Sequence, residues 1–274
     1  MGKVKQYGLS RRRYISISDY VALDSNRTYC KKSYGGSQEW FPKEHASIKE
    51  HLIHAYGCGV IAITDLFLYW AITLQNGKDT FAARYIDEKN QITKEDYRAL
   101  VEEIHNRYAR IIGYAGTFAP QLMMAINRYA KHNNIGHKAI LDMELNDLTM
   151  LEQIKKMLEA NQPIILMIGH SCPMILSRFR KKGIPFYKQT RVLNPLLKDI
   201  DKPYAQYKVM KKNVFGHFVT ITGMIIDEQA ELASQHIMLR ISSWGTEYYI
   251  SYHHLRQYIN QLSTPYLSTI ITLE

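Results

Sequence analysis

Two residues in this chain have the type and setting to do chemistry together. Cys58 stands between Gly57 and Gly59 and opens an apolar run that lasts to Leu74. His217 follows Gly216 and opens a second apolar run, Phe218 to Ile226. A cysteine nucleophile needs a base within reach and a third group to orient that base. The run after Cys58 is apolar in every helical direction, so it predicts a helix buried on most sides. Cys58 then sits at the helix N-terminus, where free N–H groups and the positive dipole end favour a thiolate and lower a thiol pKa from about 8.5. Gly57 and Gly59 allow a tight turn and close backbone approach just before that helix. Further along, ISSWG (Ile241 to Gly245) ends another apolar segment with two hydroxyls and Trp244. Cysteine on a helix start and histidine on a strand start describe a cleft between two elements.

Those elements follow from the pattern. Tyr14 to Val21 alternates and reads as a half-exposed strand, and the segment to Lys43 is rich in turn residues. Ala46 to His54 reads as a short helix leading into Gly57. Lys94 to Ile112 is amphipathic and stops at Gly113 and Gly116, while Pro120 to His132 starts a helix with proline in its first turn. Lys138 to Leu141 is a short apolar segment. Asp147 opens a helix to Glu159 as its N-cap, and Pro163 to Ile168 is a buried strand. Residues 170–215 read as one long, basic, proline-bearing loop, the kind that forms a lid or binding element. Phe218 to Ile226, His236 to Ser242 and Glu247 to Ser251 form three strands of an antiparallel sheet. Tyr252 to Gln261 is a helix and Leu267 to Leu273 a closing strand. The expected class is α+β: a basic arm and strand over 1–45, a helical lobe over 46–135 carrying Cys58, and a β-rich lobe over 136–274 carrying His217.

Charge and cysteine usage narrow the function. The formal net charge is +10. Residues 1–32 carry eight Lys/Arg against two Asp, and residues 178–212 carry eleven against two. Such patches attract acidic substrates, nucleic acid or anionic lipid. No aromatic–basic stacking motif or recognition helix accompanies them, so no nucleic-acid partner is expected. Asp65 interrupts the apolar run, which falls short of the roughly 20 clean residues of a membrane span. Cys30, Cys58 and Cys172 are too few and too odd in number for a disulfide framework, which with no signal-like region after Met1 to Arg13 points to the cytoplasm. His51, His54 and Cys58 have a metal-like spacing but no fourth ligand, and neither metal nor organic cofactor is expected. Cys172, two residues from His170, lacks a helix start and reads as a loop cysteine.

Gly57-Cys58-Gly59 opening a helix, Gly216-His217-Phe218-Val219 opening a strand and Ser242-Ser243-Trp244-Gly245 after the next strand occur in a set order. In this the chain resembles the papain-like cysteine peptidases, as a divergent member of their bacterial, leader-peptidase-like branch. The likeness covers about residues 45–273. His217 lies 159 residues past Cys58, a little beyond the family's roughly 130–150. The resemblance implies a two-lobed fold with the cysteine helix packed on a C-terminal antiparallel sheet. It implies a hydrolase acting on a peptide or protein, an acidic one if the basic segment flanks the cleft. Amidase or acyltransferase chemistry, or a catalytically inactive binding module, is the alternative on the same scaffold. Cys58 is the implied nucleophile, His217 the base and Ser242, at the family's asparagine position, the orienting residue, with Trp244 shielding it. Leu52 stands at the family's oxyanion glutamine position and cannot donate, so Gln38 or the Cys58 N–H serves.

Overall fold

A computed structural model describes residues 5–6, 12–18, 20–22, 32–142, 147–169, 183–192, 205–227, 237–261 and 269–274. Cys30, His170, Cys172, Lys181 and Lys182 lie outside these. The described residues form an α+β structure of six helices and one ten-stranded, wholly antiparallel sheet.

The helices are α1 (Ile48–Tyr56), α2 (Cys58–Thr73), α3 (Lys94–Arg107), α4 (Ala119–His132), α5 (Asp147–Glu159) and α6 (Tyr252–Gln261). Ser47 starts α1 through a reciprocal cap, its hydroxyl accepting from the Glu50 N–H while the Glu50 carboxylate accepts from the Ser47 N–H. Helix α2 has no polar face. Residues 59 to 71 are all buried, as its all-round apolar pattern requires. Phe67 stacks on Tyr129 of α4 with ring centroids 3.6 Å apart. At the far end the Tyr69 hydroxyl donates to the Asn161 carbonyl and the Trp70 indole N–H to the Gln162 side chain. Among the described residues no single helix is long and apolar enough to cross a membrane; α1 and α2 together have the length but meet at 86°.

The strands are β1 (Lys5–Gln6), β2 (Arg12–Ser16), β3 (Ala139–Asp142), β4 (Ile164–Ile168), β5 (Ile184–Val192), β6 (Ala205–Val214), β7 (His217–Asp227), β8 (Ile237–Ser243), β9 (Thr246–Ser251) and β10 (Thr269–Leu273). Their main order is β3-β10-β4-β7-β8-β9-β5-β6. Strand β7 is long enough to take two partners along one edge. Its first half pairs with β4, from His217 opposite Ile168, and its second half with β2, from Gly223 opposite Ser16. The N-terminal arm therefore enters the sheet that carries His217.

Two expectations need correction. The segment over 170–215 is not one irregular loop, because residues 184–192 and 205–214 pair as the β5–β6 hairpin. Its alternation was hidden by lysines placed on a strand with a solvated face, where charge and strand pairing coexist. Helix α3 ends at Arg107, with Tyr108 as its C-cap, rather than continuing to Ile112. The Tyr108 and Ala109 N–H groups both bond to the Ile104 carbonyl, which closes the last turn early.

One carboxylate lies inside the largely apolar α2. Asp65 is 2% exposed and accepts from the Tyr97 hydroxyl at 2.7 Å, the Gly36 N–H at 3.0 Å and the Tyr20 hydroxyl at 3.3 Å. Replacing Asp65 with Leu should cost about 3–5 kcal/mol, since it leaves two buried hydroxyls and a buried N–H without partners. Urea denaturation checks this; a loss under 1 kcal/mol, well below that estimate, would mean that Tyr20 and Tyr97 find other acceptors.

Candidate active site

Cys58 begins α2 and is half-buried. The turn that sets it there depends on close approach. A Cβ at Gly57 would lie 2.3 Å from the Ile53 carbonyl oxygen, and one at Gly59 would lie 2.1 Å from Thr117 Oγ1. Only glycine lets α1 end and α2 begin at this angle with β7 and Thr117 packed against it.

His217 is the first residue of β7 and is buried. Its ring stacks on Trp244, with centroids 4.2 Å apart and planes 12° apart. Its Nε2 lies 2.7 Å from the Ser243 hydroxyl. Trp244 and Gly245 form the two-residue turn between β8 and β9, both at positive φ (49° and 67°). A hairpin turn of this length wants that geometry, but for tryptophan it carries strain of about 1–3 kcal/mol. The strain is held by contacts on the turn: the Gly245 N–H donates to the Gly36 carbonyl and the Gly245 carbonyl accepts from the Tyr34 N–H.

Ser242 does not orient the histidine. Its hydroxyl donates to the Tyr34 carbonyl at 2.8 Å. The reason is strand alternation: Thr220 pairs with Ser242 and Ile221 with Ile241, so Ser243 falls on the side shared with His217 and Val219. Ser243 was missed because motif alignment alone does not supply register. Gln38 stands in a 3-10 turn (Gln38–Trp40), and its amide N–H donates to the His54 carbonyl at 2.9 Å, close before Cys58. Its Oε1 is buried with no hydrogen-bond partner among the described residues. Leu52 packs partly buried against the core and takes no part. Gly36, Gln38, Cys58, Asp65, His217, Ser242, Ser243 and Trp244 all line one small cavity. Its volume is about 20 Å³, room for one water molecule.

The local electrostatics reverse one expectation. Burial pushes the Cys58 thiol up, against backbone N–H groups of Phe218, Gly59 and Cys58 itself that favour the thiolate. The Phe218 N–H reaching the sulfur places Cys58 against the residue that follows His217. Burial, helped by the Lys211 charge, pushes His217 down to about 3. Desolvation thus outweighs the helix end, and the resting pair is thiol and neutral imidazole rather than thiolate and imidazolium. Burial also holds Asp65 up at about 6, although the Tyr97, Gly36 and Tyr20 hydrogen bonds pull the other way.

Among the described residues no three His, Cys, Asp or Glu side chains are grouped to hold a metal ion. His54 Nδ1 instead lies 2.8 Å from the Phe41 carbonyl. Comparison of the chain with family models, with curated proteins and with solved structures finds no match.

The two buried groups give stability opposite pH dependences. His217 is neutral when folded and takes a proton when unfolded, so its contribution is present above the unfolded pKa of about 6.5 and lost as pH falls towards 3. Asp65 holds its proton more tightly when folded, so its contribution is present below the unfolded pKa of about 3.9 and lost as pH rises through about 6. In thermal melts across this range, His217→Gln should remove acid destabilisation and leave a protein that gains stability on acidification relative to wild type. Asp65→Asn should steepen the acid loss. A His217→Gln variant with the wild-type pH profile would show that burial does not shift the titration of His217.

Proposed function

We propose that the chain is a thiol-dependent hydrolase of papain-like design, cutting an amide bond through an acyl-enzyme on Cys58. The observation that carries this reading is the joint placement of the half-buried Cys58 at a helix start and the His217 ring, clamped by Ser243 and Trp244, on one cavity.

With the Nε2–H of a neutral His217 donating to Ser243, Nδ1 is the nitrogen left to act as base. As Cys58 Sγ attacks the substrate carbonyl carbon, its proton passes to Nδ1. The tetrahedral intermediate collapses with cleavage of the C–N bond, and the imidazolium gives its proton to the leaving amine. Water, deprotonated by the same imidazole, then hydrolyses the thioester. Developing negative charge on the carbonyl oxygen has the Cys58 backbone N–H and the Gln38 amide as candidate donors, both from residues that line the cavity. Since the resting thiol is protonated, general-base transfer during attack, rather than a standing thiolate, drives acylation.

A peptide or protein is the substrate class that suits this chemistry. A binding module on the same scaffold is the second reading, favoured by the water-sized cavity and the neutral resting pair.

Cys58→Ala should abolish turnover of a peptide-library substrate. Gln38→Leu and Ser243→Ala should each lower kcat by about 10²- to 10³-fold for the former and at least about tenfold for the latter, while Ser242→Ala should alter kcat less than Ser243→Ala. Burst kinetics with an activated ester would reveal the acyl-enzyme, and mass spectrometry should find the acyl group on Cys58. Absence of any acylated Cys58 with such esters, in a protein that stays folded, would leave the binding module.

A further inference from the structure

Strands β5 and β6 bring two lysines to the rim of this site. Lys211 Nζ lies 4.3 Å from the Trp244 ring centre, and Lys188 Nζ lies 5.4 Å from that of Tyr248. Trp244 is the ring stacked on His217, and Tyr248 meets Trp244 edge-on at 6.3 Å. Phe186 of β5 packs against His217, Trp244 and Tyr248, which anchors the hairpin here. Among the described residues neither lysine forms an ion pair. Glu39 is an acid whose charge acts on Tyr248, and among the described residues it bridges to neither lysine.

We propose that Lys211, assisted by Lys188, forms an anion subsite beside the Cys58–His217 pair and selects substrates that carry a carboxylate close to the bond being cut. The proposal rests on the thiol-hydrolase reading above and adds its substrate class. Two half-buried lysines gathered over one aromatic cluster repel each other, and among the described residues neither has an ion-pair partner. A side-chain carboxylate of the substrate supplies one, with the aromatic rings excluding water around the ion pair. The position has a second consequence. The Lys211 charge disfavours protonation of His217. A bound carboxylate offsets that charge, so the imidazolium that must form during acylation is favoured only when an acidic substrate is seated. A cation held over a tryptophan purely as surface packing has no such effect and is the competing outcome.

The test uses alkylation of Cys58 in the full chain, in which thiolate displaces iodide from iodoacetate (anionic) or iodoacetamide (neutral). Rates at Cys58 are mapped by mass spectrometry at about pH 8.5, where lysine is charged and thiols react as thiolate. The iodoacetate-to-iodoacetamide ratio is referred to that of N-acetylcysteine. Wild type should exceed the reference about five- to tenfold at low ionic strength, falling with added salt. Lys211→Met, which keeps the stem over Trp244, should return the ratio to the reference, and Lys211→Arg should preserve the excess. A wild-type ratio equal to the reference, or one that survives Lys211→Met, overturns the subsite. If neither reagent modifies Cys58 until the protein is unfolded, the reactive-thiol reading falls, and the subsite with it.

Discussion

The buried carboxylate of Asp65 joins the parts of this molecule that the site needs. It sits two turns beyond Cys58 on α2 and receives the Gly36 N–H, so the helix that carries the cysteine is tied to residues 34–36. Those residues in turn bond to Gly245 at the tip of the β8–β9 hairpin. Tyr97 closes the same carboxylate from α3, and Tyr20 from the segment after β2. A carboxyl group withdrawn from water is tolerated only when its oxygens are satisfied, and here three donors from three segments do so. The cost of leaving any of these groups unpaired fixes their mutual arrangement, and with it the distance from the cysteine helix to the histidine's support.

The hairpin tip shows how that restraint is used. Trp244 adopts a backbone conformation that a bulky side chain resists, and it does so directly over the His217 ring. Packing on Phe186 and Tyr248 and the bonds through Gly245 keep it there. Ser243, the residue before it, fixes the other degree of freedom of the imidazole. Ring plane and ring rotation are thus set by adjacent residues on one strand end. Such a histidine presents its free nitrogen in one direction, which is the requirement for general-base work and also for a rigid binding surface.

The cleft is small, and burial governs its acid–base state. A helix terminus and a few N–H groups favour a thiolate by amounts of roughly 1 kcal/mol. Burying charge in a cavity that admits one water acts in the opposite direction and more strongly. Charge separation across Cys58 and His217 is then coupled to what enters the cleft, because an incoming group replaces water and changes the local field.

The sequence by itself determined most of the fold. The all-round apolar run after Cys58 is α2, the 147–159 pattern is α5, and the strands opening near His217, Ile237 and Thr246 lie within a residue or two of their expected bounds. Periodicity is local, so it survives without knowledge of partners. The placement of Cys58 and His217 on one cleft was legible as well, since a helix start and a strand start each aim a side chain outward. Asp65 was legible only as a break in an apolar run, although a lone acid in a buried helix is itself a sign of partners. What only the tertiary structure decided depends on pairing across distance. Sheet register chose Ser243 over Ser242. Strand pairing turned a basic, loop-like segment into the β5–β6 hairpin and carried Lys211 over Trp244. Burial, a sum over the whole surroundings, raised the thiol where the helix end alone would have lowered it.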